Sequence, residues 1–244
     1  MWEEIEIDGF TVDVFEPAAR VPHGALIYLH GHGGERLRDQ PEFTRLLAES
    51  GLPVMAPQCG KCWWLDRPVP GFEHELTPMQ FVNQRITAAV NERWEIGCPQ
   101  IGLLGLSMGG QGVLNLAYRH GRRFPCVAAI SPTIDFHSIH GRGLEIDQIF
   151  ETPEAARQET VTLHLHPLNW PKHQFFACDP QDPFWFEGTQ RLASKLSSSG
   201  VLYESDLLTS HGGHSWTYFN HMARQAIPFL SRSLEKVSHE LPRA

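Results

Sequence analysis

The chain has 244 residues, with 20 Lys and Arg against 28 Asp and Glu, for a formal charge of -8. Hydrophobic residues make up 41% and charged residues 20%, which is globular composition and excludes a disordered chain. Net acidity without a Lys/Arg run argues against a nucleic-acid or anionic-membrane partner, and no apolar run approaches the ~20 residues that span a bilayer.

In chain order, the opening Met1-Trp2-Glu3-Glu4-Ile5 is acidic and has neither the basic nor the apolar part of a secretory leader. With 5 cysteines, an odd number, reduced thiols and a cytoplasmic location are expected. Short apolar runs predict strands over Thr11–Phe15, Ala25–His30, Pro53–Gln58, Ile101–Leu106, Cys126–Ser131, His173–Asp179 and Leu202–Leu208. Several of these runs are continuously apolar, the mark of strands covered on both faces of a parallel sheet. Thr77-Pro78 reads as an N-cap with Pro at the first helical position. The stripe Met79, Val82, Ile86, Val90 and Trp94 then holds one helical face. Further helices are expected from Met108 to about Tyr118, from about Phe184 to Leu196, and from Trp216 onward with an interruption at Pro228. Strand–helix alternation means βαβ units in a three-layer α/β sandwich. The stretch 133–172 has weak helical signals and is long for a βα connection, so it is expected to be an insertion over the C-terminal edge of the sheet. Residues 1–244 are read as a single domain carrying that cap-like insertion.

Gly105-Leu106-Ser107-Met108-Gly109-Gly110 falls where the expected strand Ile101–Leu106 meets the helix from Met108. The G-x-S-x-G turn is so sharp that it strains Ser107 and exposes its hydroxyl, and it needs small residues where backbones converge. On these residues the sequence resembles the α/β-hydrolase superfamily, and within it the esterase D-like serine carboxylesterases, from Ala25 to about Leu230.

That resemblance implies an acid and then a histidine later in the chain. His211-Gly212-Gly213-His214-Ser215-Trp216 lies just before the C-terminal helix, where the family places its base, which points to His214 with His211 as the competitor. Cys178-Asp179-Pro180-Gln181-Asp182-Pro183 offers two acids. The family spacing selects Asp182, while Asp179 fits a turn position ahead of Pro. Leu29-His30-Gly31-His32-Gly33-Gly34 supplies the Gly-rich loop of an oxyanion hole, with backbone donors expected from His32 and Met108.

His30-x-His32 and His164-x-His166 also permit a metal-hydrolase reading, but there is no H-E-x-x-H and no Asp-His after His32, so neither a metal nor another cofactor is expected. Cys59-Gly60-Lys61-Cys62 is a C-x-x-C without a second pair and reads as a plain loop. The adjoining Trp63 and Trp64, with Phe184 and Trp185 past the acid, are candidates to line a substrate pocket. Aromatic walls favour an apolar or aromatic small-molecule ester. A thioesterase acting on S-acyl glutathione, a lipase-like enzyme and a peptidase share the same triad logic, and a non-catalytic binding protein is the contrasting class. Oligomeric state is not legible.

Overall fold

The computed structural model describes residues 1–166 and 168–241. The chain opens with β1 (Trp2–Ile7) and β2 (Phe10–Phe15), joined by a two-residue turn at Asp8 and Gly9, both with positive φ. Ile7 pairs with Phe10 across it, the geometry that an Asp-Gly hairpin turn provides. β3 (Ala25–Leu29), α1 (Pro41–Ser50) and β4 (Val54–Pro57) follow. α1 starts on Pro41 and ends at Gly51, whose φ of 67° permits a left-handed cap.

Next comes α2 (Pro78–Phe81), which passes through a π-helical turn at Val82–Ile86 into α3 (Thr87–Trp94). The Thr77 hydroxyl accepts from the Gln80 amide while Gln80 reaches back to the Thr77 amide, so the expected start is a full capping box. β5 (Ile101–Leu106), α4 (Met108–Arg119) and β6 (Cys126–Ile130) come next. After the insertion, with α5 (Ile146–Ile149) and α6 (Pro153–Arg157), the chain forms β7 (His173–Ala177), α7 (Phe186–Ser198), β8 (Glu204–Asp206) and α8 (Trp216–Glu240).

The eight strands make one sheet in the order β1-β2-β4-β3-β5-β6-β7-β8. It is antiparallel at β1-β2-β4 and parallel from β4 to β8. Strand alternation divides the core. Ala25, Ile27 and Leu29 pack on the face covered by α3, α4 and α7, and Leu26 and Tyr28 on the face covered by α1 and α8. At about 1.5–3 kcal/mol for each large apolar side chain taken from water, these two layers hold the sheet.

Four expectations need correction. β1 is an unanticipated strand: Glu3, Glu4 and Glu6 are exposed on a charged edge, which hides the short Ile5–Ile7 alternation, while Trp2 packs on the opposite face. α1 was likewise unassigned. The last strand shrinks from Leu202–Leu208 to three residues, with Leu202 and Leu208 exposed. Pro228 does not interrupt the last helix, which continues to Glu240. The lost hydrogen bond faces exposed Arg224, where water can serve its carbonyl, while buried Ile227, Phe229 and Leu230 anchor the helix on both sides of the ring.

The insertion packs as part of the main body. Phe136, Ile139, Ile146, Phe150, Ala156 and Val161 are buried in the same cluster as β3 and α4, and Phe136 meets the Trp63 ring at 5.7 Å.

Candidate active site

Ser107 lies between β5 and α4 with φ 53° and ψ -115°, a left-handed conformation that costs a non-glycine residue of order 1–3 kcal/mol. The surroundings impose it. A Cβ on Gly105 would lie 2.2 Å from the Gly109 carbonyl oxygen, and one on Gly109 would lie 1.9 Å from the Leu29 carbonyl oxygen. Both glycines of the motif are therefore required by backbone approach. The Ser107 amide donates to Ile130 and its carbonyl accepts from Gln111 and Thr133, which fixes the turn against β6.

His214 arrives on the loop between β8 and α8. Its Nδ1 is 2.8 Å from Asp182 Oδ2. Asp182 is buried, and its Oδ1 accepts from the Phe184 and Trp185 amides at 2.9 and 3.1 Å. Burial pushes its pKa up, but the bond from His214 and those two amides outweigh burial and hold the carboxyl below its ordinary value. The competing acid, Asp179, does different work. Its Oδ2 accepts from the His211 and Gly213 amides at 2.6 and 2.8 Å, so it anchors the loop that carries His214. The His211 ring instead packs at a tilt against His221, with ring centroids 4.4 Å apart. Gly212 and Gly213, with φ of 95° and 66°, make the bend between them.

The Gly31 loop passes close to the nucleophile: a Cβ on Gly31 would be 3.5 Å from Ser107 Cβ. The Met108 amide is the first of α4, one of the helix-start donors without an intrahelical acceptor. Ser107, His214 and His32 together line two adjoining cavities. One, of about 280 Å³, also has Glu35, Ser215, Trp216 and Phe219 in its wall. The other, of about 350 Å³, has Trp63, Thr133, Ile139, Arg142, Leu144, Phe184 and Trp185. A larger groove of about 410 Å³, between Trp170, Lys172 and the end of α8, is lined by no Ser, Cys or His among the described residues.

Of the candidate pocket residues, Trp63 and Trp185 line the second cavity together with Phe184, and Trp64 does not. Trp64 is a core residue. Its indole donates to the His30 carbonyl at 3.1 Å, and it packs so tightly on α4 that a Cβ on Gly112 would lie 2.5 Å from Trp64 Cβ.

The paired histidines serve separate partners. His30 is buried and its Nε2 accepts from the Cys59 amide, so the proton is on Nδ1, which donates to the Gly31 carbonyl. Burial lowers its pKa. His32 Nε2 meets Glu145 Oε2 at 2.7 Å. His164 faces Arg119, and burial together with that charge lowers it to about 4. His166 Nδ1 accepts from the Leu168 amide. Cys59 and Cys62 are both buried, and burial raises both thiols, Cys62 to about 12.

Two polar residues of the insertion were not foreseen. Glu145 reaches across the site to His32, to the Trp63 indole at 3.4 Å and to Lys61 at 3.4 Å. Burial alone would raise its pKa, but the His32 bond brings it down to about 2. Arg142 stands at the second cavity. The only sequence signal for either was the Gly141-Arg142-Gly143 turn.

A mostly parallel sheet flanked by helices, with a serine on a strained strand–helix turn and an Asp–His pair brought to it, defines an α/β-hydrolase of the serine ester hydrolase class. The chain belongs to the esterase family whose model, described as "Putative esterase", matches residues 10–230. No curated protein matches its sequence significantly.

Among solved structures it is similar to an S-formylglutathione hydrolase from Agrobacterium tumefaciens, with a TM-score of 0.75 and 16% identity over 96% of this chain and 94% of that one. It is also similar to a ferulic acid esterase (TM-score 0.71, 18% identity, 95% and 97% covered). An S-formylglutathione hydrolase from Staphylococcus aureus gives a TM-score of 0.69 with 16% identity, covering 95% of this chain and 98% of that one. At such identities these likenesses speak for the fold. No helix among the described residues is long and apolar enough to cross a membrane.

Proposed function

We propose that this chain hydrolyses small or medium esters, apolar or aromatic, by two-step acyl transfer through Ser107, Asp182 and His214, without a cofactor. His214 Nδ1 donates to Asp182, which leaves Nε2 as the base for the Ser107 hydroxyl. The serine oxygen attacks the ester carbonyl carbon, and the carbonyl oxygen becomes an oxyanion received by the His32 and Met108 amides. Donors of this kind each stabilise the transition state by about 2.7–4 kcal/mol. The imidazolium then protonates the departing alcohol. A water, deprotonated by the same imidazole, releases the acid and restores the serine.

The observation that carries this reading is the Asp182–His214 contact in a site where His214 and Ser107 line the same cavities. Ser107→Ala tests it on 4-nitrophenyl acetate and butyrate. The expected loss in kcat is about a thousandfold or more. Retention of more than about a tenth of the rate excludes Ser107 as nucleophile.

A thioester passes through the same tetrahedral intermediate, and the likeness to the Agrobacterium S-formylglutathione hydrolase favours it as the second reading. Comparing kcat/KM for S-acyl glutathione and for oxygen esters of matched acyl length separates the two. The five cysteines are all free thiols, which suits a reducing compartment such as the cytoplasm.

A further inference from the structure

The two cavities beside Ser107 carry opposite charges. Glu35 lines the smaller one, whereas Arg142 is the only Lys or Arg among the described residues lining the larger. No carboxylate neutralises Arg142 among the described residues. Glu145 is turned to His32 and Lys61, and Asp147 is taken up by two backbone amides.

Those amides belong to Gly141 and Gly143, the residues on either side of Arg142, which donate to Asp147 at 2.6 and 2.7 Å. Both glycines have positive φ, 87° and 74°. The arginine is thus presented on a turn clamped from both sides, so little backbone ordering remains to be done when a ligand arrives. An exposed guanidinium set beside Trp63, Phe184 and Leu144 suits an apolar or aromatic group that ends in an acceptor-rich anion.

We propose that Arg142 is a specificity-determining residue that binds a carboxylate on the ester substrate, directing the anionic part into the Trp63–Trp185 cavity and away from Glu35. This inference rests on the hydrolase reading above and narrows its substrate class to aromatic or apolar esters bearing one negative charge.

The test uses two acetate esters, 3-(4-acetoxyphenyl)propanoate and its methyl ester. Two methylenes insulate the carboxyl from the phenol, so the intrinsic reactivities of the two acetates match. The wild-type protein is expected to favour the anion in kcat/KM. Arg142→Ala is expected to lower kcat/KM for the anion by roughly ten- to a hundredfold, the range of one charge-assisted contact, mainly through KM. Turnover of the methyl ester should stay within about twofold, and Arg142→Lys should recover part of the preference. Raising the salt concentration should shrink the preference in the wild type and leave the Arg142→Ala variant unmoved. Equal turnover of both esters by the wild type, or an equal loss on both in Arg142→Ala, overturns the assignment and leaves the hydrolase reading intact. Failure of the wild type on both esters, without labelling of Ser107 by a fluorophosphonate, removes the hydrolase reading and this inference with it.

Discussion

The turn at Ser107 and the insertion at 133–172 border the same cavity, the larger of the two, but are specified in different ways. At the turn, nearly every residue is dictated by its immediate neighbours: Gly105 and Gly109 by contacts with backbone carbonyls, Ser107 by the strained φ, and Met108 by its place at the start of α4. In the insertion, Phe136, Ile139 and Ile146 are fixed by burial, while Arg142 and Glu145 gain meaning only from partners or cavities distant in sequence. The nucleophile turn is thus specified locally, whereas the polar residues of the insertion are placed by contacts distant in sequence.

The hardest way to strain that contrast is Gly109→Ala. A methyl placed 1.9 Å from the Leu29 carbonyl oxygen cannot be accommodated without moving β3 or α4. Destabilisation of about 3 kcal/mol or more, read by urea unfolding, or failure to fold is expected. A variant of wild-type stability would show that the turn is less constrained than described.

Asp182→Asn should keep the fold and lower kcat by about 10³–10⁴, because an amide in place of the carboxylate no longer enforces the required imidazole tautomer. Ester kinetics beside an unchanged circular dichroism spectrum check it. Asp179→Asn tests the anchor. With its carboxylate gone from the His211 and Gly213 amides, kcat should fall by about ten- to a hundredfold and stability by about 2–4 kcal/mol.

Acid unfolding extends the same point. The folded-state pKa values of Asp179 and Asp182 both lie below the ordinary carboxylate value. Their contribution is therefore complete above the unfolded value near 3.9 and is lost as pH falls through the lower folded values. Tm should drop steeply below about pH 4, and the drop should be shallower in Asp179→Asn, as followed by thermal melts across pH. Glu145→Gln should have the smallest effect, a fall in kcat of about two- to fivefold with stability nearly unchanged, since the amide oxygen can still accept from His32.

What the sequence disclosed follows the same division. Strands β3 to β7 were legible because burial on both faces leaves largely continuous apolar runs, and the Thr77 cap because its partners are three residues away. Ser107, Asp182 and His214 stood out as candidates because each is in a stereotyped strand-end loop. Local pattern alone did not separate the two aspartates, since both follow one strand and both accept backbone amides within three residues; their partners at positions 211–214 divide the roles. Trp63 and Trp64 looked equivalent as neighbours, yet one faces the cavity and the other fills the space over Gly112. Both have positive φ, a turn that composition does not announce. The hairpin of β1 and β2 went unassigned although Asp8-Gly9 is a hairpin signal, because the glutamates of β1 break its apolar pattern.

The most direct measurement is the site and rate of labelling by a fluorophosphonate, with the adduct located by peptide mass spectrometry. The account predicts one adduct, on Ser107, formed far more slowly in His214→Ala and absent in Ser107→Ala. An adduct on a different residue, or labelling of Ser107 at an unchanged rate without the imidazole, would contradict it.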